Sequence, residues 1–238
     1  MAEQLSFDLP IRQALGREDF FVSPANALAV VMVESPTWPG GRLVLSGPEG
    51  SGKTHLAHVW AGRTGARILR AAELRDDQVP ELAQGPLVVE DVPEIARDDA
   101  AQQALFHLYN LMIAGGVPLL LTGRRDPALW DLSLPDLQSR MQSAQHVALN
   151  PPDDALLVAV LTKLFADRQL APKPDVIPYL VARLDRTFAA AGEMVDRLDR
   201  AAMAEGRTLT RALAARLMGT PTLELDEPEQ PGDGRQRD

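Results

Sequence analysis

Short apolar runs alternate with helical patterns between residues 27 and 149. The runs ARILR, PLVVE, PLLLT and HVAL are nearly continuous in apolar residues and too short for helices, so each is predicted to be a buried strand. RLVLS is a further strand candidate, and helical patterns cover residues 27–33, 53–63 and 98–114. This alternation predicts an α/β domain, with a parallel sheet covered by helices on both faces.

The pattern changes after the two prolines at 151 and 152, beyond which only helices are predicted. Apolar positions recur there at helical spacing in three stretches, residues 156–165, 176–184 and 194–198. Asp153 and Asp154 are candidate N-caps of the first of these helices, and Thr208 is a candidate N-cap of a last one. The second part of the chain is therefore predicted to be a small helical bundle.

These patterns predict four segments: a flexible N-terminal tail (1–14), an α/β subdomain (15–151), an all-α subdomain (152–218) and a disordered acidic tail (219–238). In the first tail, the stretch QLSFDLP alternates Leu5, Phe7 and Leu9 with polar residues. A terminal segment is where burial in the protein's own core is least expected. An accessible binding peptide is one explanation, and an edge strand packed on the body is the other.

The composition limits the classes of function. Of the 238 residues 45% are hydrophobic and 24% are charged, a balance that can bury a core. The absence of cysteine excludes disulfides and thiolate metal sites, and no apolar run approaches the length of a membrane span, so a cytoplasmic protein is expected. The net charge of -9 disfavours strong direct binding to DNA.

The strongest chemical signal is GPEGSGKT at residues 47–54, which matches the phosphate-binding pattern G-x-x-x-x-G-K-[ST]. It follows a predicted strand and opens a predicted helix, so backbone N–H groups and the helix N-terminus would point at phosphate oxygens. Lys53 is expected to reach the β- and γ-phosphates, and the Thr54 hydroxyl to bind Mg²⁺. The residues expected to bind ADP or ATP are Gly47, Pro48, Glu49, Gly50, Ser51, Gly52, Lys53, Thr54 and His55.

Acidic residues follow the predicted strand PLVVED, as the metal of a phosphate-binding loop requires. Either Glu90 takes the Mg²⁺ position with Asp91 following it, or Asp91 does so alone; partly water-mediated contacts with Thr54 would complete the site. Because glutamate in that position alters the geometry, fast intrinsic ATP hydrolysis is not expected. Thr122, at the end of PLLLTG, either bonds the nucleophilic water or the γ-phosphate, or merely begins a loop.

A candidate catalytic arginine lies in LPDLQSRM, a short helical stretch before the strand HVAL. Arg140 is either a surface charge or a group that points away from its own nucleotide toward that of a neighbouring subunit. Arginine suits the second role because its planar, permanently charged fork matches phosphate oxygens. Arg124 and Arg125 are similarly ambiguous.

Five motifs in this order, FVSPAN, GPEGSGKTHLAH, PLVVED, PLLLTG and LQSRM, resemble the AAA+ ATPases of the replication-initiator clade. The helical bundle is similar to their lid. Initiators of this type carry a helix-turn-helix domain after the lid, whereas an acidic tail is expected here. The N-terminal tail resembles the Q-L-x-x-x-L peptide that binds the bacterial sliding clamp, with candidate contacts at Gln4, Leu5, Phe7 and Leu9. Together these features resemble the Hda family.

The resemblance implies a negative regulator of chromosomal replication initiation. Such a protein docks on the DNA polymerase III sliding clamp and stimulates hydrolysis of the ATP bound to the initiator DnaA, near the nucleoid of a bacterial cell. Arg140 would be the arginine finger that acts in trans, Thr122 would be sensor 1, and Phe21 and Val22 (with Phe20) would line the adenine pocket unless they pack in the core. A homo-oligomer is possible.

One departure from the family pattern concerns the third lid helix, where an arginine normally senses the phosphates. The alignment of LDRTFAAAGEM places Ala189 there, with Arg186 about one turn earlier. Weak intrinsic hydrolysis is therefore expected. Two alternatives remain: a DnaA- or DnaC-like motor that remodels DNA or loads a helicase with its own ATP hydrolysis, and a P-loop kinase acting on a small substrate.

Overall fold

The computed structural model describes residues 21–205 and 208–219. Five strands form one parallel sheet: β1 (Arg42–Ser46), β2 (Arg67–Arg70), β3 (Leu87–Glu90), β4 (Leu119–Gly123) and β5 (Gln145–Ala148). Their order across the sheet is β2-β3-β4-β1-β5. The predicted α/β class with a parallel sheet is confirmed.

The helices before and between the strands cover both faces of the sheet. They are α1 (Ala27–Glu34), α2 (Lys53–Thr64), the short α3 (Val79–Leu82), α4 (Asp99–Ala114) and α5 (Pro135–Ser143). One apolar core joins α1 and α2 to side chains such as Leu43, Val88 and Leu120. A second joins α3, α4 and α5 to Val44, Val89 and the other alternate positions. This alternation follows from the period of two in a strand.

Four helices form a separate apolar core after the sheet: α6 (Asp154–Asp167), α7 (Val176–Val181), α8 (Phe188–Glu205) and α9 (Arg211–Leu217). As predicted, Asp153 caps α6, because its carboxylate accepts a hydrogen bond from Leu156 N at 2.8 Å. Asp154 is instead the first residue of that helix. The predicted cap at Thr208 is wrong: Thr210 caps α9, its hydroxyl accepting from Leu213 N at 3.2 Å.

Two strand predictions also need correction. ARILR and HVAL were both predicted to be buried, but β2 and β5 lie at the two edges of the sheet, with Arg67 and Arg70 of β2 and Ala148 of β5 exposed. An edge strand has a neighbour on one side only, so its side chains can reach water. In the described parts of the chain, no helix combines the length and apolar character needed to cross a membrane.

Candidate nucleotide-binding site

The phosphate-binding motif forms the connection between β1 and α2, at the carboxyl edge of the sheet. Its entrance is fixed to the neighbouring strand, since Gly47 N donates to the Gly123 carbonyl at 3.2 Å. A Cβ atom on Gly47 would lie 2.6 Å from the Leu149 carbonyl and 2.8 Å from Ser51 Oγ. Gly52 adopts a φ of 95°, a left-handed conformation that side chains disfavour. The loop therefore requires glycine at both positions.

Lys53, the first residue of α2, is buried and held inside this loop. Its Nζ donates to the carbonyls of Gly47 and Pro48, both at 2.8 Å. Burial lowers the pKa of Lys53; the carboxylates of Asp91, Glu49 and Glu90 oppose that shift, while the nearby Arg124 adds to it. An ammonium at this place can exchange carbonyl oxygens for phosphate oxygens.

Glu90 and Thr122 lie on the sheet face that α2 covers. Val88 and Leu120 point into the core beneath α2, so Glu90 and Thr122, each two residues further along its strand, share that face. Oε1 of Glu90 is inaccessible to solvent and has no hydrogen-bond partner among the described residues. A buried carboxylate oxygen without a partner is costly unless a cation or its water completes the site.

Thr122 connects two strand ends. It is almost fully buried, and its Oγ accepts a hydrogen bond from Asp91 N at 3.1 Å. Asp91 adopts a left-handed conformation (φ 55°, ψ 44°), and its carboxylate lies 4.0 Å from an arginine nitrogen of Arg70. The Thr122 oxygen accepts from Asp91, and a hydroxyl that accepts one hydrogen bond can still donate another.

The lid subdomain contacts the same loop through the start of α8. Phe188 N donates to the Gly50 carbonyl at 3.1 Å. A Cβ atom on Gly50 would lie 2.6 Å from Thr187, and one on Gly52 would lie 2.9 Å from the Phe188 ring. The glycines therefore also allow the lid to approach. Sequence reasoning missed this contact, because the motif does not reveal which residues pack on it.

Neither predicted candidate for a phosphate-sensing lid residue reaches the cradle as an available cation. Ala189, the second residue of α8, has only a methyl side chain. Arg186 forms an ion pair with Asp154 (2.7 Å) and also donates to the Pro152 carbonyl. Both partners lie at the start of α6, so this arginine joins two lid elements.

Phe21 and Val22 are 38% and 55% exposed, so core packing, the alternative considered from sequence, does not describe them. The following segment reaches the end of β5, because Asn150 N donates to the Ala25 carbonyl at 3.2 Å. The two side chains are thus available at the carboxyl edge of the sheet. Phe20 and the clamp-binding candidates Gln4, Leu5, Phe7 and Leu9 lie outside the described residues.

Arg140 lies on the exposed side of α5. The buried side of this helix packs on the sheet face opposite the one that α2 covers. Burial raises the pKa of Tyr109 on α4, and the charges of Arg42 and, less strongly, Arg140 oppose that shift. Arg140 forms no ion pair with the described residues, and its helix lies across the sheet from α2, which begins at Lys53. The structure therefore separates Arg140 from the phosphate loop of its own chain.

A parallel sheet with a glycine loop at its carboxyl edge, followed by a helical lid, defines an AAA+ P-loop NTPase fold. The chain is similar to domain III of the replication initiation protein DnaA from Thermotoga maritima (TM-score 0.77, 19% identity, 89% of this chain and 98% of that one). It is also similar to AMPPCP-bound DnaA from Aquifex aeolicus (TM-score 0.66, 19% identity, 85% and 68%).

A RuvB variant from Thermotoga maritima shares the fold as well (TM-score 0.62, 17% identity, 82% and 65%). No family model matches the chain. At these identities the similarities show the fold alone, which agrees with the fold predicted from the motifs.

Proposed function

We propose that this chain is a nucleotide-bound AAA+ adaptor that stimulates hydrolysis of ATP bound to the initiator DnaA, and so acts as a negative regulator of replication initiation. The observation that carries the proposal is the position of Arg140. Arg140 is exposed on α5, forms no ion pair with the described residues, and belongs to a helix that packs on the sheet face opposite α2. A cation in that position is available to a neighbouring protein's nucleotide.

The chain's own nucleotide, ADP or ATP, would be held in the loop between β1 and α2. Lys53 would turn from the carbonyls of Gly47 and Pro48 to the β- and γ-phosphates, and the N–H groups at the start of α2 would bind phosphate oxygens. Phe21 and Val22 are exposed close to this edge and would contact adenine. The similarity to an AMPPCP-bound DnaA supports an adenine nucleotide.

Mg²⁺ would bind through the Thr54 hydroxyl, a carboxylate and phosphate oxygens, since this ion commonly uses few protein ligands. No group of three His, Cys, Asp or Glu residues suited to a metal occurs in the described residues, so phosphate oxygens would be needed. Asp91 acts more strongly on Lys53 than Glu90 does. We nevertheless assign the metal position to Glu90, because its Oε1 is buried without a partner whereas Asp91 lies near Arg70.

Two features support weak hydrolysis of the chain's own ATP. The lid offers Ala189 where a cation would sense the γ-phosphate, and Arg186 is paired with Asp154. The bound nucleotide would then mainly stabilise the arrangement of the sheet and lid, while Arg140 neutralises charge on ATP held by DnaA.

The presence of Glu90, Asp91 and Thr122 together favours the second candidate, a DNA-remodelling or helicase-loading ATPase that uses its own hydrolysis.

The N-terminal tail would bring the adaptor to its target. Gln4, Leu5, Phe7 and Leu9 would bind the sliding clamp as an extended peptide with spaced apolar anchors. Tethering to a clamp that encircles DNA raises the local concentration of the adaptor near DnaA without a basic surface on the adaptor itself. The net charge of -9 is compatible with that indirect recruitment.

A reconstituted assay tests the proposal. DnaA carrying radiolabelled ATP is mixed with clamp loaded on DNA and this chain, and conversion to ADP is followed. Arg140→Ala should retain nucleotide and clamp binding yet lose most of the stimulation, by up to about 10³-fold. Arg97→Ala, which removes another exposed arginine, should stimulate as the wild type does. Gln4→Ala with Leu5→Ala should remove clamp binding without changing the melting temperature.

Full stimulation by Arg140→Ala would place the finger elsewhere. Brisk turnover of ATP by the purified chain, without clamp or DnaA, would instead support the candidate that uses its own hydrolysis. Arg140→Lys separates charge from shape: it keeps the positive charge but loses the forked geometry, and it should stimulate less than the wild type.

A further inference from the structure

An ion pair joins the phosphate loop to the residue that follows β4. Arg124 follows β4 directly, and its Nη1 lies 3.0 Å from Oε2 of Glu49, the third residue of the phosphate loop. The sequence leaves the role of Arg124 open and predicts no partner for Glu49 in the loop. The structure joins the two.

The backbone holds Arg124 next to the loop. The preceding residue, Gly123, accepts the hydrogen bond from Gly47 N that fixes the start of the loop. Two residues before Arg124, Thr122 faces the same cradle. Arg124 also lies close enough to Lys53 for the two positive charges to repel each other. Both positive charges would be attracted by the phosphates of a bound nucleotide.

The partner of Arg124 is easy to exchange. The side chains of Arg124 and Glu49 are 57% and 76% exposed, and an ion pair so accessible to water contributes little to stability. A nucleoside triphosphate in the loop brings several negative charges close to the Glu49 carboxylate, which repel it. The same charges attract Arg124, whose fork can bind two phosphate oxygens at once.

We propose that Arg124 is a phosphate-binding residue for this chain's own nucleotide, which exchanges Glu49 for the terminal phosphate of a bound nucleoside triphosphate. In this role it supplies, from the sheet, the second cation that the lid lacks at Ala189. The inference rests on the proposed nucleotide site and adds to it a preference for triphosphate over diphosphate.

Calorimetric titration of the full chain with ATP and with ADP, both with Mg²⁺, tests the inference. Arg124→Ala should weaken ATP binding by about tenfold and ADP binding much less, because a charge-assisted contact to the terminal phosphate is lost. Arg125→Ala is the matched control, since Arg125 is also exposed and is adjacent in sequence. It should leave both affinities unchanged.

Glu49→Gln separates direct phosphate binding from a role in shaping the loop. If Arg124 binds phosphate, freeing it from Glu49 should tighten ATP binding; if the pair only shapes the loop, Glu49→Gln should weaken binding as Arg124→Ala does. An unchanged ATP-to-ADP preference in Arg124→Ala, with nucleotide still bound, would overturn this inference and leave the nucleotide site standing. A wild-type chain that bound neither nucleotide would overturn both.

Discussion

The phosphate loop and helix α5 present their cations in opposite ways. In the loop, Lys53 is buried and bonded to two carbonyls of its own chain, with acidic residues nearby and the start of α8 packed above. On α5, Arg140 is exposed and forms no ion pair with the described residues. The first cation is held by the protein, whereas the second is directed outward.

The difference distinguishes a cation placed to bind a ligand of its own chain from one that is accessible to another protein. A preorganised, partly desolvated group binds a ligand that fits between fixed partners, and changes there affect binding or folding. An exposed guanidinium adds little to the stability of its own fold, and its hydrogen-bond donors remain accessible to a partner. The proposed function, in which the chain binds one nucleotide and acts on another, would use one cation of each kind.

The largest effect expected on the loop side is that of Lys53→Ala. Removal of the ammonium should weaken nucleotide binding by about 100-fold or more, since charge-assisted contacts to two phosphates are lost. The free protein should remain folded, because the substitution removes a cation that burial disfavours. Titration with a fluorescent nucleotide and thermal melts measure both quantities. Wild-type affinity in this variant would place the nucleotide elsewhere.

A second, smaller effect concerns the contact between loop and lid. Gly52→Ala should lower the free energy of unfolding by about 1 to 3 kcal/mol, because it combines a left-handed φ with a close approach to Phe188. Gly62→Ala is the matched control inside α2, with open space around its Cβ. It should raise stability by about 0.5 to 1 kcal/mol. Denaturant titration measures the free energy of unfolding of both variants. Equal changes in the two would contradict the close approach of Phe188 to Gly52.

The smallest effect concerns a polar chain beside the loop. Nε2 of His146 lies 2.7 Å from Ser46 Oγ, and Nδ1 lies 3.7 Å from an Asp126 oxygen. Burial lowers the pKa of His146 below its ordinary 6.5, and Asp126 only partly opposes the shift. The unfolded chain therefore takes up the proton first. Stability from this group should be complete above about pH 6.5 and decline as the pH falls toward the folded-state pKa.

Denaturant titrations between pH 8 and pH 5 measure this dependence, and His146→Gln should flatten the part that His146 contributes. An equal slope in the variant would show that other groups produce the acid sensitivity. Arg140 provides the contrast. Because its charge is exposed, its substitution should leave the free energy of unfolding nearly unchanged.

The fold was predictable from sequence because apolar runs and helical patterns alternate, and because the glycine motif fits only between a strand and a helix. The edge position of β2 was not, since ARILR has the same apolar character whether one or two strands flank it. The misplaced cap has a local cause: in T-L-T both threonines suit a helix start, and only the observed backbone selects Thr210.

Individual residues of the candidate site were predictable from sequence, but contacts between distant residues were not. The motif marked Lys53, and strand ends marked Glu90 and Thr122, because a period of two fixes their side of the sheet. The contacts of Arg124 with Glu49 and of Phe188 with Gly52 join residues far apart in sequence. No local pattern encodes which distant side chain meets them. The roles of Arg140 and the N-terminal tail remain predictions.

The hydrogen bond from Phe188 N to the Gly50 carbonyl links two subdomains by their backbones. Any residue other than proline at position 188 keeps the N–H donor, whereas position 50 requires glycine, because a Cβ atom there would lie 2.6 Å from Thr187. Any ligand that reshapes the loop around Gly50 must carry the first turn of α8 with it or break the bond. The position of the helical subdomain should therefore change with what is bound at the edge of the sheet.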